Sequence, residues 1–134
     1  MRAVLDPNIL ISALLSPDGA PAELLTCWLR GEFELVISER LLDELERVFA
    51  YPKIRHRIAA DEAASFLALL RASATCSSDV AAAPRAADPG DDYLLALAEQ
   101  AHAFLVSGDR HVLALADVLP VETARGFLER MRSQ

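Results

Sequence analysis

Short apolar runs alternate with helical apolar patterns along the whole chain. Strand-length runs occur at Arg2–Leu5 and Phe33–Ile37, and Ser38 stands in the N-cap position after the second run. The residues that follow Ser38 place apolar side chains on one face of a helix: Leu41, Leu42, Leu45, Val48 and Phe49. The opening part of the chain therefore predicts strands that are each followed by a helix.

The remaining elements continue this alternation. Turn residues in "SPDGAP" separate two helices, and Pro52 either ends the helix after Ser38 or begins a short one. The predicted strands are Arg2–Leu5, Phe33–Ile37, a weak one at Thr75–Val80, Ala103–Val106 and Leu119–Glu122. The other predicted helices are Asn8–Ser16, Ala22–Leu29, Asp61–Ser73, Asp92–Ala101, Arg110–Ala116 and Ala124–Met131. Such alternation through short connections predicts an α/β domain in which helices flank a central parallel sheet.

Composition indicates one acidic globular domain. We expect residues 1–134 to form a single domain, because 134 residues with 53% hydrophobic and 25% charged residues suffice for one core and not for two. The net charge of −7 argues against a protein that coats duplex DNA, which needs a basic face. It is compatible with an acidic site that holds Mg²⁺, because the metal ion then supplies the local positive charge.

Neither a membrane segment nor a disulfide is expected. No run approaches the roughly 18 apolar residues of a membrane span, and "MRAVLD" reaches a charge before a signal-peptide core could form. Cys27 and Cys76 are far apart and lack metal-ligand spacing. We expect both to be free, buried thiols in a cytoplasmic protein.

Acidic residues recur where the predicted strands end. Asp6 directly follows the first strand, and Asp109 follows the fourth in the turn Ser107-Gly108-Asp109. Glu44 lies in the helix after the second strand, and Asp92 opens the helix that leads to the fourth. In open parallel sheets the ligand crevice lies beyond the carboxyl ends of the strands, where strand order reverses. These four acids are therefore candidates for one site.

Each acid also has a structural interpretation when it is taken alone. Asp6 before Pro7 suits an N-cap followed by proline in the first helical position. Asp92 suits a first-turn acid favoured by the helix dipole, and Asp109 a turn or cap residue. Glu44 borders the apolar stripe of its helix, but Glu46 borders the other side of that stripe equally well. Periodicity does not choose between the two glutamates.

Taken together, the acids predict a metal-dependent hydrolase. Three or four carboxylates in one crevice would repel each other by several kcal/mol at an effective dielectric of about 20. A hard divalent cation or shared protons would relieve that repulsion. An all-carboxylate set favours Mg²⁺ or Mn²⁺, whereas zinc would favour His or Cys. Such a metal site next to a phosphodiester can activate water, and a nuclease is the leading example.

The motifs resemble those of PIN domains, in order and over nearly the whole chain. "VLDPNILISALLS" is similar to the opening motif of that family, and "VISERLLDELERVF" to its second. "ADPGDDYLLALAEQAHAFLVSGDRHVLAL" is similar to its third and fourth motifs, and "LPVETARGFLERM" to its last strand and helix. The resemblance is strongest to the VapC-like toxins of bacterial type II toxin–antitoxin pairs.

The resemblance implies a fold, an activity and partners. The implied fold is a Rossmann-like, three-layer PIN domain with a central parallel sheet. The implied activity is an endoribonuclease that depends on Mg²⁺ or Mn²⁺ and hydrolyses phosphodiester bonds of RNA. The implied partners are a small antitoxin protein and a second copy of the chain, in a homodimer.

Carried over by position, the resemblance also assigns residues. Asp6, Glu44, Asp92 and Asp109 would bind the metal ion and form the catalytic set. Asn8 and Ser107 would orient these carboxylates through hydrogen bonds. Asp88 and Asp91 are secondary candidates, because the run "DPGDD" leaves the alignment of its acids ambiguous.

Pro7 departs from the family pattern, which usually has threonine at that position. Proline removes a hydroxyl and a backbone N–H, and it favours an extended conformation for Asp6. We expect activity to be retained or reduced, because no proposed metal ligand is missing.

The alternatives to a nuclease are a non-catalytic PIN scaffold that binds a partner, and a phosphatase of the haloacid dehalogenase type. The phosphatase would need a second aspartate where this chain has Asn8, and a motif lysine that the chain lacks.

Basic residues that could meet RNA phosphates occur in two places. "YPKIRHRI" contains Lys53, Arg55, His56 and Arg57, and a solvated face explains this cluster equally well. Arg110 and His111 directly follow Asp109. Lys53, Arg55, Arg57 and Arg110 are therefore the candidates for RNA contact.

Overall fold

The computed structural model describes residues 1–80 and 89–134 and contains one five-stranded sheet. Its strands are β1 (Arg2–Leu5), β2 (Glu34–Ile37), β3 (Thr75–Cys76), β4 (Phe104–Val106) and β5 (Val121–Glu122), in the order β3-β2-β1-β4-β5. Every neighbouring pair is parallel. With helices around this sheet, the predicted three-layer α/β fold with a central parallel sheet is confirmed.

The helices follow the strands in the predicted alternation. They are α1 (Pro7–Leu15), α2 (Ala20–Leu29), α3 (Glu39–Phe49), α4 (Pro52–Arg55), α5 (Ala60–Ser73), α6 (Asp92–Ala101), α7 (Arg110–Leu113) and α8 (Ala124–Arg132). A 3₁₀ turn at Pro89–Asp91 leads into α6. Pro52 begins a short helix, and α1 starts at Pro7, one residue before the predicted start, because proline suits the first helical position.

Three predicted elements are shorter than expected by two residues or more. Thr75–Val80 is a strand only at Thr75–Cys76, where two residues pair with β2. Leu119–Glu122 is a strand only at Val121–Glu122, since Pro120 cannot donate to a ladder. Arg110–Ala116 ends as a helix at Leu113, because the following amides bond three residues back, as from Leu115 N to Val112 O.

The buried centre of the sheet lies at β1. Ala3, Val4 and Leu5 are each at most 1% exposed, and α6 packs on both β1 and β4. From β1 the chain moves outward through β2 to β3, then crosses to the other side of β1 for β4 and β5. The strand order therefore reverses between β1 and β4, which places the expected ligand crevice at the carboxyl ends of these two strands.

The cysteines and the helices test two further expectations. Cys27 and Cys76 are free, as predicted, but Cys76 is exposed and Cys27 is half-buried, so the prediction of buried thiols is wrong. Cys76 ends the edge strand β3, where its side chain lies outside the core. In the described part of the chain, no helix has both the length and the hydrophobicity needed to cross a bilayer.

Candidate active site

Asp6 occupies the position directly after β1. Its backbone N–H donates to Val106 O at 3.0 Å, which extends the β1–β4 pairing by one residue. Its backbone has φ −51° and ψ 140°, outside the helical region, as expected before Pro7. Its Oδ1 accepts from the backbone N–H of Asn8 at 2.9 Å, so Asp6 is the N-cap of α1. Because its side chain is buried and also lines a cleft, the capping interpretation and the site interpretation both apply.

Ser107 holds the other oxygen of the same carboxylate. The register of β1 with β4 ends at Leu5 opposite Val106, so the next residues, Asp6 and Ser107, are neighbours. The buried Ser107 hydroxyl donates to Asp6 Oδ2 at 3.0 Å and accepts from the backbone N–H of Asp109 at 3.1 Å. Ser107 therefore makes the hydrogen bond to Asp6 that the resemblance implied. Asn8 does so through its backbone, while its side chain is exposed.

Burial and neighbouring acids set the electrostatics of Asp6. Burial raises the pKa of the Asp6 carboxyl above its usual value, and the negative charges of Asp109 and Glu44 raise it further. The hydrogen bonds from Asn8 and Ser107 favour the charged form and partly offset this rise. Two hydrogen-bond donors thus hold the carboxylate in place. The negative charges of Asp109 and Glu44 would favour a cation beside it.

A small cleft opens beside Asp6. Its volume is about 70 Å³, and it is lined by Asp6, Pro7, Asn8, Glu44, Val48, Gly90, Asp91, Tyr93 and Leu94. Three of these residues, Asp6, Glu44 and Asp91, are acids that come from three separate segments of the chain. The fold therefore places three acids along one cleft at the carboxyl end of the sheet: one directly after β1, one in α3 and one in the turn before α6.

The structure distinguishes Glu44 from Glu46. Glu44 lines the acidic cleft, and its Oε1 accepts from Arg47 at 2.6 Å. Glu46 instead lines a cavity of about 400 Å³ that α3 and α5 form with residues such as Phe49 and Ala63. The prediction that Glu44 faces the site has the support of this geometry, which the helical periodicity could not supply.

The remaining predicted acids lie in different surroundings. Asp92 is buried at the first position of α6, whereas Asp91 is half-buried and lines the cleft. Asp109 is half-buried and caps α7, with Oδ1 accepting from His111 N at 2.7 Å. Asp109 is connected to Asp6 through Ser107. Asp88 lies outside the described residues.

The donor set fits a hard divalent cation in its chemistry. Aspartate and glutamate oxygens are the ligands that Mg²⁺ and Mn²⁺ prefer, and a cation would offset the negative charges of Asp109 and Glu44 near Asp6, which add to the effect of burial in raising the pKa of Asp6. Within residues 1–80 and 89–134, however, no group of three or more Asp, Glu, His or Cys side chains is close enough together to hold a metal ion without rearrangement. Glu44 is paired with Arg47 and Asp109 with the His111 amide. The Glu44–Arg47 pair is solvent-exposed, so turning Glu44 toward the cleft costs roughly 1 kcal/mol or less.

The predicted RNA-contacting residues do not all lie at this cleft. Lys53, Arg55 and Arg57 are exposed in or just after α4, and Arg55 lines the cavity between α3 and α5. Arg57 donates to Leu15 O at 3.4 Å. Arg110 is exposed and directly follows Asp109. Of these four, Arg110 is the one that sequence position ties to a candidate catalytic acid.

Two residues of this region were missed by the sequence analysis. Tyr93 lines the cleft, and the Arg40 guanidinium lies 4.4 Å from the centre of its ring. Tyr93 directly follows the acidic run "DPGDD", and Arg40 precedes Glu44 by four residues, one helical turn. Their positions next to candidate acids could have indicated a functional role. Tyr93 also fits the apolar pattern of α6, however, and that pattern predicts a core residue.

Comparison with known proteins identified one family. A family model described as PIN domain matches residues 2–111. The match begins at β1 and ends within α7, so it contains all of the residues that line the acidic cleft. A search of curated proteins found no match.

Proposed function

This chain belongs to the PIN domain family, and we propose that it is a metal-dependent endoribonuclease that hydrolyses RNA phosphodiester bonds. The PIN domain is a nuclease-type fold whose members typically use divalent metal ions. One observation carries the proposal for this chain: a buried aspartate, Asp6, is fixed by two hydrogen bonds and shares a cleft with Glu44 and Asp91.

The proposed metal ligands are the acids of this region. Asp6 and Glu44 would hold the cation, together with Asp109 and two acids at the start of α6, Asp91 and Asp92. When bound, Mg²⁺ or Mn²⁺ would lower the pKa of a bound water and stabilise negative charge on the phosphate. Asp88 stays a candidate from the sequence alone.

The chain's own residues supply orientation. Ser107 and the Asn8 amide keep both oxygens of Asp6 in fixed positions, so the carboxylate need not be ordered when a ligand arrives. Asp109 is restrained by its cap bond to His111 and by its own amide, which donates to Ser107. Val48 and Leu94 give the cleft an apolar wall, which strengthens the electrostatic interactions inside it. Arg110, next to Asp109, is available to contact a phosphate of the RNA.

Cleavage of a labelled single-stranded RNA by the purified protein tests this function. Wild type should cleave with Mg²⁺ or Mn²⁺ and stop when EDTA removes the metal, and Asp6→Asn should lose more than about 100-fold in rate. Equal cleavage by wild type and Asp6→Asn would identify a contaminating nuclease and refute the proposal. A single-stranded DNA of the same sequence shows whether the substrate class is RNA.

We further propose a biological role as the toxin of a type II toxin–antitoxin pair, acting in the cytoplasm. The support is the order of motifs, which is similar to that of VapC-like toxins. The proposed partners are a small antitoxin protein and a second copy of the chain. Expression of wild type should arrest bacterial growth, expression of Asp6→Asn should not, and co-expression of a short neighbouring reading frame should restore growth. Growth that is unaffected by wild type would favour a stand-alone nuclease.

The whole chain is proposed to form this one PIN domain. The family match ends at His111, but β5 pairs with β4 and α8 packs against α2 beyond that point. Phe127 of α8 is fully buried in the common core and meets Phe33 edge-to-face at 5.3 Å between ring centres. Residues 112–134, which follow the matched part, therefore contribute to the same core.

A non-catalytic scaffold is the second candidate, and Pro7 is the observation that favours it. Pro7 replaces the usual threonine of the family pattern and lines the cleft, so a hydroxyl is missing there. The bonds from Asn8 and Ser107 to Asp6 are nevertheless made in its presence. Calorimetric titration with Mn²⁺ separates the two: a scaffold without a metal site gives no binding heat, whereas the nuclease gives heat that Asp92→Asn reduces.

A further inference from the structure

The hydroxyl of Tyr93 is buried beside the acidic cleft without a hydrogen-bond partner in the described part of the chain. Tyr93 is 4% exposed, and it lines the cleft together with Asp6 and Glu44. Buried tyrosine hydroxyls usually find a partner, because leaving one unpaired costs free energy. Phenylalanine would fill the same space without that cost. Packing therefore explains the ring of Tyr93 but not its hydroxyl.

The Tyr93 hydroxyl is a hydrogen-bond donor at neutral pH. A phenol has an ordinary pKa of about 10 and therefore carries its proton there. A protonated phenol next to two carboxylates has a donor to offer, and the group that best accepts it is an anionic oxygen of a ligand in the cleft.

A positive charge lies over the face of the same ring. The Arg40 guanidinium lies 4.4 Å from the ring centre of Tyr93, in a cation–π contact. Arg40 is exposed, in the first turn of α3, and Glu44 lies one turn further along that helix. Its backbone N–H donates to Asp79 at 3.0 Å, which helps to fix the start of the helix. The side chain of Tyr93 thus combines a ring that faces a surface cation with a buried hydroxyl beside the acidic cleft.

We propose that Tyr93 is a substrate-binding residue whose hydroxyl donates a hydrogen bond to a non-bridging oxygen of the RNA phosphate, with Arg40 contacting the RNA backbone beside it. This inference rests on the proposed nuclease function. A metal ion is not the partner of these two groups, because a cation neither accepts a hydrogen bond nor attracts a guanidinium. A phosphodiester suits both, since its oxygens accept from a phenol and from arginine. The acids hold the cation, and Tyr93 with Arg40 holds the anion.

Tyr93→Phe tests the proposal, since it removes the hydroxyl and keeps the ring. Tyr51→Phe is the matched control, because Tyr51 is the chain's other tyrosine and is 47% exposed. We expect Tyr93→Phe to cleave a labelled single-stranded RNA in Mn²⁺ about 10- to 100-fold more slowly than wild type, the range for a lost hydrogen bond to a charged group. In Ca²⁺ it should bind the same RNA about tenfold more weakly, measured by fluorescence anisotropy. Arg40→Gln should weaken that binding too.

Thermal unfolding separates substrate binding from a structural role. Because the hydroxyl has no hydrogen-bond partner among residues 1–80 and 89–134, the unfolding midpoint of Tyr93→Phe should equal or exceed that of wild type. A lowered midpoint with unchanged RNA affinity would overturn the proposal, as would RNA affinity and cleavage equal to those of Tyr51→Phe. If wild type binds RNA but does not cleave it, the nuclease function fails while the binding comparison still decides the role of Tyr93. If wild type does not bind the RNA, both fail.

Discussion

The Ser107 hydroxyl donates a 3.0 Å hydrogen bond to Asp6 across 101 positions of sequence. Both residues directly follow strands, and the parallel pairing of β1 with β4 brings their positions together. The same hydroxyl accepts from the backbone N–H of Asp109. One buried serine therefore connects two acids that the sequence places far apart, and the geometry of the proposed site depends on it.

Replacing Ser107 by alanine should impair activity and stability together. The variant leaves one oxygen of the buried Asp6 carboxylate and the Asp109 amide without their partner. We expect a loss of about 10- to 100-fold in cleavage rate, as for other hydrogen bonds that orient metal ligands. The free energy of unfolding should fall by about 1–3 kcal/mol. Initial rates and urea denaturation measure the two effects.

Ser38→Ala is the control for this prediction. Ser38 is also a fully buried serine after a strand, but its hydroxyl accepts from Leu41 N and caps α3. Its loss should cost about 1 kcal/mol of stability and leave the rate of the folded enzyme unchanged. Equal rate losses in both variants would show that Ser107 acts only through stability.

Without metal, neutralising Asp6 should stabilise the protein in a pH-dependent way. The pKa of Asp6 is raised in the folded state, chiefly by burial, so the unfolded chain releases this proton at lower pH than the folded one. Wild type therefore loses stability as the pH rises from the ordinary carboxyl range through the raised folded value. Asp6→Asn has no carboxyl to titrate at this position. Its gain in stability over wild type should therefore be absent at a pH below the ordinary carboxyl pKa and complete at a pH above the raised pKa of the folded state.

Thermal unfolding in EDTA, from about pH 3 to about pH 8, measures this advantage. Asp18→Asn is the control, because Asp18 is an exposed aspartate in the turn between α1 and α2. Its midpoint should follow that of wild type at every pH. An Asp6→Asn midpoint that lies below wild type at neutral pH would contradict the account, because it would mean that the charged carboxylate stabilises the fold.

Replacing Pro7 by threonine restores the usual residue of the family pattern and should change activity little. Asp6 already accepts from Asn8 and Ser107 in the presence of Pro7, so the rate should stay equal or rise by no more than about tenfold. Stability should fall by about 0.4–1 kcal/mol, because proline restricts the unfolded chain. A wild type without activity and a Pro7→Thr variant with strong activity would show that proline disables the site.

The positions of Asp6 and Ser107 could be predicted because they depend on backbone topology. Apolar runs define the strands, and an alternating pattern of strands and helices makes them parallel, which places the residues after each strand at one edge. Strand and helix ends were less accurate where local backbone chemistry decides them. Pro120 shortened β5, and tight turns ended α7 at Leu113.

Side-chain orientation could not be predicted from the same pattern. Glu44 and Glu46 flank one apolar stripe symmetrically, and tertiary packing of α3 decides which of them reaches the cleft. Tyr93 has the apolar character of its neighbours in α6, so its buried hydroxyl is visible only in three dimensions. The pairing of Glu44 with Arg47 likewise depends on rotamers that no periodicity encodes.

The central claim is that a metal-dependent catalytic site lies at the acidic cleft. The dependence of RNA cleavage on Mn²⁺ in Glu44→Gln and Glu46→Gln tests it most directly. Both variants neutralise a glutamate of α3, but only Glu44 lines the acidic cleft. We predict that Glu44→Gln needs at least about tenfold more Mn²⁺ for half-maximal rate, whereas the Glu46→Gln curve overlays that of wild type. A cleavage rate that does not depend on Mn²⁺ would contradict a metal-dependent site at this cleft. So would an equal change of the half-maximal Mn²⁺ concentration in the two variants.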